Sequence, residues 1–303
     1  MKTMVIMNPR SREGPEGEDR VRRRFAEIDA TLVETEREGH AEEIARRAVQ
    51  EGAERVVAVG GDGTVNEVVN GLAPEPGGVQ LGVVPAGTGN DFARSLGLPL
   101  EIEESLEVLE QGKTATIDLV RARAGEEDHW FANMAAGGFG GNVRETLTSD
   151  IKQTWGPFAF FRAAVERLPE RSEYEVELWL DSEEAWVGPA LNVAVANGRF
   201  IAGGIPAAPY AELDDRVVDV IVVRACGLAA LTALAPRVLV GRHLEETEEY
   251  ILFRQAQEVE VRSEPSMPWK LDGEPFVTGN LVFEVEAGAL EVIVGPGWTR
   301  EDE

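Results

Sequence analysis

Short, continuously apolar runs alternate with amphipathic stretches through the first 120 residues, a pattern that predicts successive strand–helix units. "TMVIMN" predicts a strand, "EDRVRRRFAEIDA" a helix and "ATLVET" a second strand. In "GHAEEIARRAVQEG", Ala41, Ile44, Ala45, Ala48 and Val49 recur at helical spacing and make one apolar face. "RVVAVG" and "QLGVVPAG" add two strands, each with a helix candidate behind it. Because these strands are apolar throughout, both of their faces are expected to be covered, as in a parallel sheet between helices.

From about Asp118 the pattern changes to a run of expected strands: "IDLVRAR", "WFANMA", "YEVELWL", "ALNVAVANG", "VVDVIVV", "EEYILF", "EVEVRS", "MPWKLDG", "LVFEVEAG" and "LEVIVG". Several alternate apolar with polar residues and are separated by Gly, Pro or Asp, which predicts an antiparallel sheet or sandwich. Two helical inserts, "GPFAFFRAAVERLPE" and "GLAALTALAPRVLVGRHL", interrupt it. The expected fold class is therefore α/β plus β: an N-terminal parallel-sheet domain over residues 1–120, rejoined by about 288–303, and a C-terminal β-rich domain over 121–287. A length of 303 residues exceeds what one core usually serves and agrees with two domains.

Composition removes several function classes. No apolar run approaches the roughly 20 residues of a membrane-spanning helix, and "MKTMVIMNPRSREG" reads as a first strand rather than a secretory signal, so a cytoplasmic address is expected. Cys226 is the only cysteine, and His40, His129 and His243 are scattered, which disfavours disulfides and transition-metal chemistry. A net charge of −26 disfavours nucleic acid as a partner. The basic residues are mostly arginine, with lysine only at positions 2, 113, 152 and 270, and with the acid excess this suggests adaptation to concentrated salt.

Candidate chemistry lies in the loops after the apolar strands, where ligands bind in open parallel sheets. "MNPRS", "GGDGT" and "PAGTGNDFAR" are those loops. Gly60, Gly61, Gly63, Gly87 and Gly89 would let backbone amides approach a polyphosphate, and Thr64, Thr88, Asn66 and Asn90 offer neutral hydrogen bonds. Asp62 and Asp91 would repel phosphate unless a divalent cation sat between them, and Mg²⁺ takes just such a mixture of carboxylate, water and phosphate oxygens. The alternative is that Asp62 caps the following helix and the glycines make a tight turn. A Walker P-loop is not expected, and "GGDGTVNE" lacks the spacing of a dinucleotide fingerprint.

"GGDGTVNEVVNGL" followed by "GVVPAGTGNDFARSLGLP" resembles the diacylglycerol kinase catalytic family, in particular its soluble bacterial lipid kinases. The resemblance continues through "MNPRSREG", "VANGRFIAGGIPAAPYAELDDRVVDVIVV" and "LDGEP" and so spans nearly the whole chain. It implies transfer of the γ-phosphate of ATP, with Mg²⁺, to a lipid alcohol, transient contact with a membrane surface, and room for a homodimer. It assigns nucleotide contacts to Asn8, Pro9, Arg10, Ser11 and Arg12, to Thr35, to Gly61 through Glu67, and to Thr88. Asp62 and Asp91 would organise the catalytic magnesium, and Asp272 or Glu274 of "DGE" would accept the hydroxyl proton. "KLDGEPF" also reads as a hairpin turn, which is compatible with a catalytic loop. "AELDDRVVD" resembles a structural metal loop with Asp215 as side-chain ligand and Glu212 and Val217 through their carbonyls; Arg216 stands where glycine is usual, and Gly141 where an acid is common. Phe158, Phe160, Phe161, Trp155 and Trp269 are candidates to face an acyl chain or to fill the core. NAD kinase, which shares a Gly-Gly-Asp-Gly loop, and a catalytically silent lipid-binding protein are the rival readings.

Overall fold

The computed structural model describes residues 1–9, 14–26, 30–73, 78–138, 173–245 and 249–298. The chain divides into two compact units, one of Met1–Leu119 with Glu286–Glu303, the other of Val120–Val285.

The first unit runs β1 (Thr3–Met7), α1 (Gly14–Ala26), β2 (Thr31–Glu34), α2 (His40–Gln50), β3 (Arg55–Gly60), α3 (Asp62–Leu72), β4 (Gln80–Pro85), α4 (Asp91–Ser95) and α5 (Ile102–Gln111). β1 lies between β2 and β3, and β4 flanks β3, all in parallel. β1 is buried along its whole length, and β3 and β4 at all but their first residue, as continuously apolar strands predict. Ala41, Ile44, Ala45 and Ala48 of α2 are buried, whereas Val49 is only half-buried. α2 packs on α3 at Gly71, where an added Cβ would stand 2.6 Å from Ala45 Cβ. α1 is tied to α5 by Arg20–Glu103 at 3.0 Å and by Arg24–Glu110.

The chain continues with β5 (Thr114–Ala124), β6 (Glu127–Phe131), β7 (Met134–Gly138), β8 (Tyr174–Leu180), β9 (Glu183–Ala196), β10 (Phe200–Ile201), β11 (Ile205–Pro206), β12 (Val218–Arg224), α6 (Leu228–Leu239), β13 (Ile251–Ala256), β14 (Glu258–Glu264), β15 (Pro268–Leu271), β16 (Glu274–Thr278) and β17 (Leu281–Ile293). Its last residues return to the first unit, where Glu291 and Val292 of β17 pair in parallel with Gln80 and Leu81 of β4. In the second unit the pairings are antiparallel, among them β7–β9, β8–β9, β9–β12, β12–β13, β8–β14 and β15–β16. Val218, Val220 and Val222 of β12 face one core with Phe131, Met267, Trp269 and Phe283, while Ile221 faces a second core with Leu234 of α6. This period-two division is what a strand buried on both faces requires. Trp269 is therefore core, its ring 5.2 Å from that of Phe283.

Two expectations about strands are corrected. "WFANMA" is not one strand: β6 ends at Phe131, and Ala132 and Asn133 turn before β7. "LVFEVEAG" and "LEVIVG" are one strand, β17, which passes through Gly288 at φ 64 because Asp118 Oδ1 accepts the Gly288 amide at 2.7 Å. Asp272-Gly273 makes a two-residue hairpin with φ of 47 and 88, which adds β16 to the expected set. The insert "GPFAFFRAAVERLPE", with Trp155, Phe158, Phe160 and Phe161, lies outside the described residues, as does Gly141. Among the described residues no helix is long and apolar enough to cross a membrane.

Candidate functional site

In the first unit the chain leaves β1 toward β2 on one side and reaches β3 on the other, so the strand order reverses between β1 and β3. Beyond the carboxyl ends of such strands lies the usual ligand crevice of an open α/β sheet. Asn8, just past β1, donates from Nδ2 to Thr64 Oγ1 at 3.2 Å, bridging to the first turn of α3. Thr35, just past β2, gives its amide to Met7 O at 2.9 Å. Pro9 follows Asn8 in a turn; Arg10, Ser11 and Arg12 lie outside the described residues.

The glycines are required by close packing. A Cβ at Gly60 would lie 2.6 Å from Thr64 Oγ1, and one at Gly61 would lie 3.0 Å from Gly87 Cα. The "GGDGT" and "GTGND" loops thus run backbone against backbone. A Cβ at Gly89 would be 2.6 Å from Asp62 Oδ2 and 3.3 Å from Asp91 Oδ2. One oxygen of each aspartate therefore borders the same glycine.

Asp62 does cap a helix, but not its own. Its Oδ1 accepts the amides of Asp91 at 2.7 Å and Phe92 at 3.2 Å, the first turn of α4. That bond locks the two glycine loops together and leaves Oδ2 on the Asp91 side. Gly63 lies in the first turn of α3, and amides of such a turn have no partner within the helix. Thr88 is exposed at the tip of its loop.

Three residues expected to contact the nucleotide also have local partners. Glu67 Oε2 accepts the Ala41 amide at 2.9 Å and so caps α2. Asn90, at φ 55, closes its own loop, accepting from Gly87 N and donating to Gly87 O, each at 2.9 Å. Asn66 is buried, and its carbonyl accepts Asn70 Nδ2 at 2.9 Å. The triplet Gly112-Lys113-Thr114 does contain the last letters of a Walker loop, but it joins α5 to β5 and has Glu107 where that motif needs glycine. A P-loop runs from strand to helix, so its exclusion stands for this reason.

The second unit has its own polar node. The Asp272 carboxylate accepts three backbone amides, Ala132 at 3.1 Å, Asn133 at 3.1 Å and Met134 at 2.8 Å, while its own amide donates to Met134 O at 2.9 Å. Asn133 Nδ2 donates to Phe200 O at 2.7 Å, and Asn197 Nδ2 to Ala132 O at 2.9 Å. Sequence reasoning missed Asn133 and Asn197, both buried. Their signal was an asparagine inside an apolar run, where a strand gives its side chain no polar partner. Glu274 is half-buried at the start of β16, in register with Leu271.

In the acidic loop Arg216 takes φ 69, the conformation glycine would otherwise supply, and Asp215 Oδ1 accepts the Val217 amide at 3.1 Å. Glu212 and Asp215 are half-buried. Asp219, fully buried on β12, accepts Gln255 Nε2 at 2.9 Å on one oxygen; its other has no hydrogen-bond partner among the described residues. Burial pushes its carboxyl up to about 6, with the charges of Asp215 and Glu212 adding to the effect against Gln255 and Arg199. Among the described residues no three Asp, Glu, His or Cys side chains gather as a metal cage. The Asp62 and Asp91 oxygens beside Gly89 are nonetheless a donor set that fits Mg²⁺, which completes its shell with waters and ligand oxygens.

Residues 2–122 match the model of the diacylglycerol kinase catalytic domain, and residues 134–294 that of the YegS C-terminal NAD kinase beta sandwich-like domain. A diacylglycerol kinase of Staphylococcus carnosus is 30% identical over 282 residues, covering 90% of this chain and 88% of its own. A protein of Pectobacterium atrosepticum named "Probable lipid kinase YegS-like" is 30% identical over 301 residues, covering 97% and 96%. A diacylglycerol kinase crystal structure from Bacillus anthracis superposes with a TM-score of 0.80 at 24% identity, over 97% of each chain. An ATP-bound NAD kinase from Archaeoglobus fulgidus gives 0.55 at 15% identity, over 98% of this chain and 94% of that one, and shares the fold alone. By its two domain models and its nearly full-length relatives, this chain belongs to the diacylglycerol kinase catalytic family.

Proposed function

We propose that the chain is an ATP-dependent lipid kinase that transfers the γ-phosphate of ATP to the hydroxyl of a lipid such as diacylglycerol. The observation that carries this reading is the pair of glycine loops packed backbone to backbone, with Asp62 and Asp91 oxygens beside Gly89. Such a surface offers amides to phosphate and two carboxylates to a cation. Asp62 and Asp91 would hold Mg²⁺, which when bound neutralises phosphate charge. Asn8, Thr64, the Gly60–Gly63 backbone and Thr88 bind and orient the triphosphate, and in this reading the second unit holds the lipid. A carboxylate of the "DGE" turn takes the proton as the acceptor oxygen attacks phosphorus. Phosphoryl transfer asks mainly for positioning and charge stabilisation, so no histidine or cysteine nucleophile is needed.

The same reading places the protein in the cytoplasm, in peripheral contact with the inner membrane surface where its acceptor resides, and in phospholipid biosynthesis. Asp215, with the carbonyls of Glu212 and Val217, would hold a structural metal; the left-handed Arg216 supports this because it preserves the loop. The acid excess supports a salt-adapted proteome. The test is incubation with labelled ATP, Mg²⁺ and either NAD or a panel of lipid alcohols. A labelled lipid is expected. Labelled NADP would favour the NAD kinase reading, and no labelled product a silent lipid-binding protein.

A further inference from the structure

Beyond its pairing with β4, the end of the chain crosses the carboxyl end of α4. Val294 N donates to Lys113 O at 3.0 Å, Gly295 N to Leu96 O at 3.0 Å and Gly297 N to Gly97 O at 3.1 Å. Pro296 is second in a turn that Trp298 N closes on Gly295 O at 3.1 Å, a place its fixed φ suits. The crossing is backbone on backbone. A Cβ at Gly295 would overlap Gly97 O and stand 2.7 Å from Leu98 Cα. One at Gly97, which has φ 64, would overlap Trp298 N and stand 2.8 Å from Gly297 Cα. Residues 295–298 thus form a strap over the glycine that ends α4.

α4 has five residues, too few to hold a helix by its own hydrogen bonds, because nucleation is unfavourable and propagation has no length in which to offset it. Its geometry is set at both ends. At its start Asp62 Oδ1 accepts the amides of Asp91 and Phe92. At its finish Leu98 N donates to Ala93 O and Gly97 N to Arg94 O, each at 3.0 Å, a left-handed glycine cap whose Leu96 and Gly97 carbonyls are the two that the strap takes. α4 also carries the glycine loop before it: Asn90 closes on Gly87, and Arg94 Nε donates to Gly89 O at 3.3 Å. A tilt of α4 therefore moves Asp91 and the Gly87–Gly89 backbone together.

We infer that the strap Gly295–Trp298 positions the candidate metal and phosphate site: by holding the carboxyl end of α4 it fixes Asp91 against Asp62. Gly97 and Gly295 are the positioning residues, since their lack of a side chain is what lets the strap close. The consequence for metal binding rests on the lipid-kinase reading; the hold on α4 does not.

The experiment uses the full-length protein with its Gly295→Ala and Gly297→Ala variants. Amide hydrogen exchange is followed without metal or nucleotide, and the free Mg²⁺ concentration for half-maximal lipid phosphorylation is measured at fixed ATP and saturating lipid. In the wild type the Gly295 and Gly297 amides should be protected, and exchange at open-chain rates would overturn the hold on α4 whether or not a variant folds. Gly295→Ala must lift the strap, because backbone rather than a flexible side chain blocks its Cβ. Its Asp91 and Phe92 amides should then exchange roughly ten- to hundred-fold faster, the scale of a hydrogen bond to a charged group, while Ala45 and Ala48 of α2 keep their wild-type rates. Its half-maximal Mg²⁺ should rise about tenfold or more, as when an outer partner of a metal ligand is lost. Gly297→Ala, whose Cβ would stand 3.2 Å from Gly97 Cα, should shift both quantities the same way by less. Unchanged exchange at Asp91 and Phe92 in a folded Gly295→Ala, or acceleration shared equally with α2, overturns the positioning role. If Gly295→Ala does not fold, the same results in Gly297→Ala overturn it. Accelerated exchange with unchanged half-maximal Mg²⁺ overturns the consequence for the metal. A wild type that phosphorylates no lipid refutes the kinase reading instead, and the exchange measurement still judges the strap.

Discussion

Asp62 has two roles that a substitution can separate. Its Oδ1 caps α4 and its Oδ2 lies beside Gly89 with Asp91. Asp62→Asn keeps an oxygen for the two amides but removes the charge, so it should retain nearly the wild-type thermal midpoint while losing lipid phosphorylation at least about 100-fold. Asp62→Ala removes both, and the lost cap should cost about 1 kcal/mol in denaturant titration. Equal stability of the two variants would deny the capping role. Asp219 supplies a pH dependence. Its folded value of about 6 lies above the ordinary 3.8, so the neutral form favours the fold fully below about pH 4, and that contribution is lost as pH rises toward 6. In EDTA, Asp219→Asn should flatten the stability profile between those values and gain at most about 3 kcal/mol near neutrality, a two-unit shift at about 1.4 kcal/mol each. The aspartates were readable as chemistry from their glycine neighbours. Which amides they accept was not, since Asp62 and Phe92 are brought together only by the pairing of β3 with β4.

At the scale of elements, periodicity located the sheet strands of the first unit but not the way the helices touch. Gly71 lies in the middle of α3, where helix propensity favours alanine. An alanine there would place Cβ 2.6 Å from both Ala45 Cβ and Glu42 O of α2. Gly71→Ala should therefore destabilise the protein by about 1–3 kcal/mol, as overpacking does, and a stabilised variant in urea unfolding would show that the helices separate freely. The misread strands have one cause in common. At "WFANMA" and at Gly288 an aspartate distant in sequence, Asp272 or Asp118, captures backbone amides and bends or bulges the chain. Local pattern carries no record of such a partner.

For the whole molecule the dominant quantity is charge. With a net charge of −26, self-repulsion opposes the folded state in dilute buffer. About 1 M salt shortens the screening length to about 3 Å. The thermal midpoint should therefore rise from dilute buffer to about 1 M KCl, and a midpoint highest in dilute buffer would contradict salt adaptation. The two-part architecture, the parallel character of the first sheet and the glycine loops with their acids were legible in the sequence, because they follow from hydrophobic period and from glycine, both local properties. Only the tertiary structure decided that Glu67 and Asn90 serve the scaffold, that Asp62 caps α4, and that Asp272 is held by three amides. A carboxylate's role depends on which donors the fold brings within about 3 Å of it, and those donors come from segments whose proximity no single stretch of sequence contains.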